Sequence, residues 1–298
     1  MTAPLVVLTT AAHTDEVRSL IDYAGEAARD LLVLLPYERI QARVSPAHYV
    51  FADLERLGDG HRRVATALHR AIEERNAAHP EARLQLLNHP TLSLSRAELG
   101  RRLHEEGINP QRVHRLWDRD EIRFPVFVRH ESDHNGALSP VLPDRASLDA
   151  AIERIVAVRG YARERLLVVE HLDVRSPDEL YRKYSAMRIG DAPFPVHVQV
   201  GSNWVTKDFD LVDARTVAEE ERFIEEFPHR DLIERVFGLA RVEYGRIDYG
   251  LVDGRPCVWE INTNPLFVAA DQGSQLRDHV RRRYIERCVA ALRRLREQ

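Results

Sequence analysis

Cysteine is nearly absent: Cys257 and Cys288 are the only two in 298 residues. That is too few for a disulfide framework or a thiolate metal site, so both read as small apolar fillers. Lysine is as scarce, since only Lys183 and Lys207 among 43 basic residues are not arginine. A lysine kept against that background is a candidate for a specific task. A basic excess is missing too. The net charge of -4 argues against nucleic acid as the main partner, because phosphate binding needs surplus cations. No long apolar run occurs: Leu5-Val6-Val7-Leu8 is far too short for a signal core or a membrane span. The expectation is a cytoplasmic globular protein with no membrane partner. Glycine is thin in the first 99 residues, and Gly25, Gly58 and Gly60 do not follow strands, which removes the dinucleotide fingerprint. There is no internal repeat.

What is present is a chain long enough for two domains, or for one domain with lobes, and 44% of it is hydrophobic. Residues 5 to 10 read as a buried strand, and Thr14-Asp15-Glu16 as a helix start ahead of Val17, Leu20, Ile21 and Ala24. A second strand at Leu31 to Leu35 completes a β-α-β opening, so the N-terminal lobe is expected to be α/β with a parallel sheet. Further on come a strand at His48 to Phe51, a helix near 60 to 76 and a strand near 84 to 87. Ser95 with Glu98 makes a capping box for a helix that Gly107 stops. Phe124 to Arg129 and Leu166 to Glu170 read as strands around a helix carrying Leu148, Ile152, Ile155 and Val156. The last helix, about 275 to 296, has Val280, Tyr284, Ile285, Cys288, Val289, Leu292 and Leu295 on one broad apolar face.

The most informative stretch is Gly245 to Pro265. Two runs rich in Val, Ile, Tyr and Trp flank Asp253-Gly254, a hairpin signal, and alternate with Arg246, Asp248, Glu260 and Asn262. Side chains alternate along a strand, so loop length decides whether these four share a face. A two-residue loop sends Glu260 to the far side. A three-residue loop over Val252-Asp253-Gly254, or a compensating bulge, gathers all four, and Gly254 suits the last loop position of the longer turn. Two carboxylates and an amide oxygen on one face suit magnesium, which takes oxygen ligands and leaves positions for water and phosphate.

Asp248 followed by Glu260-Ile261-Asn262-Thr263-Asn264-Pro265 resembles the metal-binding end of the ATP-grasp enzymes, the carboxylate-amine ligases related to D-alanine:D-alanine ligase and glutathione synthetase. The resemblance spans roughly residues 113 to 298 by order of motifs. It implies an α/β fold of lobes: a pre-ATP-grasp lobe over 1–112, a lid lobe over about 113–172, and a catalytic lobe over about 173–298. It also implies ATP with magnesium, or manganese as an alternative, with Asp248, Glu260 and Asn262 as ligands. Arg129 stands where relatives carry a phosphate-contacting lysine, and Arg96 at the place of a second cation. Gly136 falls in the phosphate lid. Glu170 with the backbone near His171 and Leu172 would hold adenine, and Asp173 or Glu179 the ribose. Lys207 is the preferred γ-phosphate contact with Lys183 second, and Arg246 would stabilise the oxyanion. No histidine is given a catalytic role.

The reaction implied is activation of a small-molecule or peptide carboxylate as an acyl phosphate, then attack by an amine or similar nucleophile. A kinase of a hydroxyl and a nucleotide-binding pseudoenzyme are the alternatives. Nothing in residues 1 to 112 identifies the substrates.

Overall fold

The computed structural model describes residues 3–40, 45–118, 121–134, 136–206, 209–268 and 275–298. Lys207 and Asn135 lie outside them. The chain opens with β1 (Leu5–Thr9), α1 (Asp15–Ala24), α2 (Glu26–Arg29), β2 (Leu32–Pro36), β3 (His48–Phe51), α3 (Asp59–Ala78) and β4 (Leu86–Leu87). These strands form a sheet in the order β2-β1-β3-β4, with every pairing parallel. Leu5 to Thr9 are all buried, as a strand covered on both faces requires.

Next come α4 (Arg96–Glu105), β5 (Val113–Arg115), β6 (Val126–His130), α5 (Arg145–Arg159) and β7 (Leu166–Glu170). Ser95 and Glu98 form the expected capping box on α4. An antiparallel three-stranded sheet, β5-β7-β6, packs under α5. Gly100 lets α4 cross β5 closely, since a Cβ there would meet Val113 Cγ2 at 2.4 Å.

The remaining elements are β8 (Tyr181–Ile189), β9 (Pro193–Gly201), α6 (Ala214–Glu226), α7 (Arg230–Ala240), β10 (Tyr244–Val252), β11 (Arg255–Asn262) and α8 (Asp278–Glu297). The four strands make an antiparallel sheet in the order β11-β10-β8-β9. All seven apolar residues named for the last helix are buried; six share a core with Leu5, Leu20 and Met187, and Val280 packs in the neighbouring core with Leu99 and Ile247. No helix among the described residues is long and apolar enough to cross a membrane.

Two asparagines join the layers. The Asn88 amide nitrogen donates to the carbonyls of Phe51 (3.1 Å) and Tyr244 (2.7 Å), and its oxygen accepts from Glu243 N and Tyr244 N. Asn109 pairs with both backbone groups of Val258, at 2.7 and 2.9 Å. Each buried amide thus satisfies backbone groups that water would otherwise serve. The parallel sheet and α4 are thereby held against the two strands of the hairpin.

Candidate active site

The hairpin β10-β11 turns through two residues, not three. Val252 pairs with Arg255, and Asp253 and Gly254 both take positive φ, 50° and 76°. That is the mirror-image turn whose twist matches flanking strands, and an Asp-Gly pair supplies it readily. The three-residue loop is therefore incorrect, and the bulge restores the parity. Pairing runs Gly250 with Cys257 and Tyr249 with Val258, then resumes as Asp248 with Glu260 and Arg246 with Asn262. Trp259 is the extra residue. Its indole fills the space left by Gly250, where a Cβ would lie 2.6 Å from Trp259 Cζ2.

Arg246, Asp248, Glu260 and Asn262 accordingly line one cavity of about 400 Å³. Asp248 accepts a 2.7 Å bond from the Ser185 hydroxyl and a 3.2 Å bond from Arg246 Nε, with Lys183 Nζ 3.9 Å away. Glu260 is held by Arg96, in a very short contact, and by Arg129 at 2.6 Å. Burial opposes its ionisation, but the two guanidinium charges outweigh burial and keep its pKa well below the usual carboxylate range. Burial and the charge of Arg96 push Arg129 down to about 10. Nε of Arg96 and Nε of Arg129 are buried without a hydrogen-bond partner among the described residues. Asn262 Oδ1 accepts from Asn264 N at 2.8 Å, while the buried Asn264 Oδ1 has no such partner.

Arg96, Arg129, Gly136, His171, Leu172 and Lys183 also line this cavity. Gly136 has φ 85°, a conformation that favours glycine. Beside it, His134 Nε2 lies 2.9 Å from Glu55 Oε1, and Glu55 also takes the Thr263 hydroxyl in a very short contact and Thr263 N at 3.2 Å. Burial raises the Glu55 pKa, but the bonds and charge from His134 and Thr263 prevail and bring it to about 2.

Glu170 and Asp173 require correction. Strand alternation turns Val169 and His171 into the cavity and Glu170 away from it. The Glu170 carboxylate accepts from Arg112 N (3.1 Å), Arg123 N (3.0 Å) and Arg123 Nη2 (2.7 Å), with His114 Nε2 at 3.3 Å. It is a bracket that ties β7 to the connection before β6. Asp173 is outside the lining and chelated by the Arg175 guanidinium two residues on, which also takes Glu179. An adjacent arginine in solvent satisfies both carboxylates. An aromatic corner was missed instead: Phe127 and His171 stand with ring centroids 5.1 and 5.2 Å from Trp204. Only the alternation of Phe127 on its strand signalled it.

Behind Arg246 and Lys183 a second cavity of about 210 Å³ is lined also by Arg277, Arg281, His197 and Tyr284. None of its described lining residues is acidic. Burial, then Arg246, Lys183 and Arg277, drive the His197 pKa well below its ordinary value, which registers a positive local potential. Arg277 is itself paired with Glu220 at 2.6 and 2.8 Å.

This chain has the ATP-grasp fold, an α/β architecture. It matches the D-alanine–D-alanine ligase of Bacillus anthracis, solved with ATP, at a TM-score of 0.57 and 11% identity, covering 100% of this chain and 99% of that one. It matches the corresponding ligase of Coxiella burnetii at 0.54 and 13%, covering 99% and 97%. No protein-family model matches the chain, and no curated protein does. At such identities the likeness is one of fold.

Proposed function

We propose that this protein is an ATP- and magnesium-dependent ligase, which activates a carboxylate as an acyl phosphate and joins it to an amine or similar nucleophile. The observation that carries this reading is the pairing of Asp248 with Glu260, restored by the Trp259 bulge, on the wall of a cavity that also holds Arg96 and Arg129. Residues 1–112 then serve as the pre-ATP-grasp lobe, 113–172 as the lid and 173–298 as the catalytic lobe.

Adenine fits the corner of Phe127, His171 and Trp204, with the backbone at His171 and Leu172 to read its edge. The phosphates extend to Arg129, Arg96 and the N–H of Gly136. The unpartnered Nε atoms of both arginines favour an anion there. Asp248, Glu260 and Asn262 offer an all-oxygen donor set that fits magnesium, which when bound neutralises charge on the transferring phosphoryl group. Glu260 is held in advance by two arginines. Phosphate oxygens could take over those two cations, which would leave the Glu260 carboxylate available to hold the metal.

The acyl substrate enters the cation-lined cavity behind Arg246. One carboxylate oxygen attacks the γ-phosphorus, ADP leaves, and an acyl phosphate forms. A nucleophile then attacks the acyl carbon, inorganic phosphate departs, and the nucleophile's proton passes to solvent. Arg246 binds the oxygen that gains charge, with Lys183 on the γ-phosphate side; Lys207, expected from the sequence as a γ-phosphate contact, lies outside the described residues.

A second reading, a nucleotide-binding regulatory protein, is favoured by the same double arginine grip on Glu260. A screen of carboxylates crossed with amines, with ATP and magnesium, separates the outcomes. ADP with inorganic phosphate supports the ligase. ADP with a stable phosphorylated product supports a kinase, and magnesium-dependent binding without turnover supports the regulatory protein.

A further inference from the structure

Helix α3 carries ligand-type side chains that the nucleotide cavity does not use. His69 and Glu73 stand four residues apart, on one face of the helix. His89, from the connection after β4, reaches the same place. His69 Nδ1 lies 3.2 Å from Glu73 Oε2, and the two imidazole centroids are 4.3 Å apart. One ligand atom from each of the three falls within 4.8 Å of the others, and no other trio of His, Cys, Asp or Glu among the described residues does so.

Three observations set this group apart from chance crowding. His69 is only 6% exposed, and among the described residues its Nδ1 meets no group in good hydrogen-bonding geometry, Glu73 approaching it at 3.2 Å as an ion pair. Two lone-pair atoms at that spacing match the edge of a tetrahedron about an ion, about 3.3 Å for bonds of about 2.0 Å. His89 Nδ1 accepts from Thr91 N at 3.2 Å; for the other ring nitrogen to take an ion, Nδ1 carries the proton and donates it instead to Thr91 Oγ1, also 3.2 Å away. Glu73 is the exposed member, 57% accessible, and provides an entry path and room for a further ligand.

We infer that His69, Glu73 and His89 form a binding site for a divalent transition metal of the zinc type. Two imidazole nitrogens and one carboxylate suit zinc, cobalt or nickel, whereas magnesium prefers oxygen donors. The ion fastens α3 to the segment after β4, next to Asn88, whose amide clamps the parallel sheet to Tyr244 on β10. Its role is to brace the N-terminal sheet against the hairpin. The site stands apart from the ligase reading and does not depend on it.

The test is a zinc titration of the chelator-stripped full chain in excess magnesium, which saturates carboxylate sites. Binding is read by calorimetry, and independently by the visible absorption of cobalt. His69 is too buried to replace safely, so the variants are Glu73→Gln and His89→Ala. The expected result is one equivalent of zinc in the wild type, weakened about tenfold or more in each variant. Zinc is expected to raise the wild-type melting temperature but not that of the variants. Equal zinc affinity and stoichiometry in all three proteins, or no saturable equivalent in the wild type, overturns the site.

Discussion

Asp248 faces Glu260 across the β10-β11 hairpin because Trp259 has no partner on the opposite strand. The bulge needs room for an indole, and Gly250 provides it. Gly250→Ala is expected to destabilise the protein by about 1–3 kcal/mol through overpacking against Trp259. It should also weaken ATP binding, as the two carboxylates lose register. Urea unfolding with an ATP titration checks both. An unchanged midpoint and affinity would show that the indole moves aside freely and does not set the pairing.

Glu170 supports the strand next to the cavity from its far side. Glu170→Gln removes the charge that Arg123 and His114 face and weakens a buried acceptor of two backbone N–H groups. We expect a loss of about 2–4 kcal/mol in stability. Discrimination between ATP and GTP should not change. Loss of base discrimination at unaltered stability would return the carboxylate to the adenine site.

The lid contact between His134 and Glu55 makes stability depend on acidity. Glu55 is lowered from an ordinary 4.5 to about 2 in the folded protein. A depressed carboxyl contributes stability that is fully present above its unfolded pKa and lost as pH falls through the folded value. The loss therefore lies between about pH 4.5 and 2. At 1.36 kcal/mol per unit its size is on the order of 3 kcal/mol. Comparing wild type with Glu55→Gln by chemical denaturation across that range should show the difference closing toward pH 2. Parallel curves would remove Glu55 from the account.

Much of this was legible in the residues. The β-α-β opening, the capping box at Ser95 and the apolar face of α8 follow from local patterns, which tertiary packing here reinforces. The four polar hairpin residues were legible as a set, but not the means of gathering them. Asp253-Gly254 satisfies the rules of both a two-residue and a three-residue turn, and the choice rests on Trp259 packing over Gly250, a contact between strands. Asn88 and Asn109 look like connector residues in the chain, because their partners, Tyr244 and Val258, are about 150 positions away. Glu170 was misjudged for a related reason. A carboxylate at a strand end carries no mark of which side its cations approach from.

The central claim, that Asp248 and Glu260 share a magnesium ion bound with ATP, is tested most directly by calorimetry of ATP binding with and without magnesium, in wild type and in Glu260→Gln. In the wild type, magnesium should strengthen binding. In the variant Arg96 and Arg129 are released, so ATP alone should bind at least as well as it does to the wild type, and added magnesium should add little. The same gain from magnesium in both proteins would contradict the site.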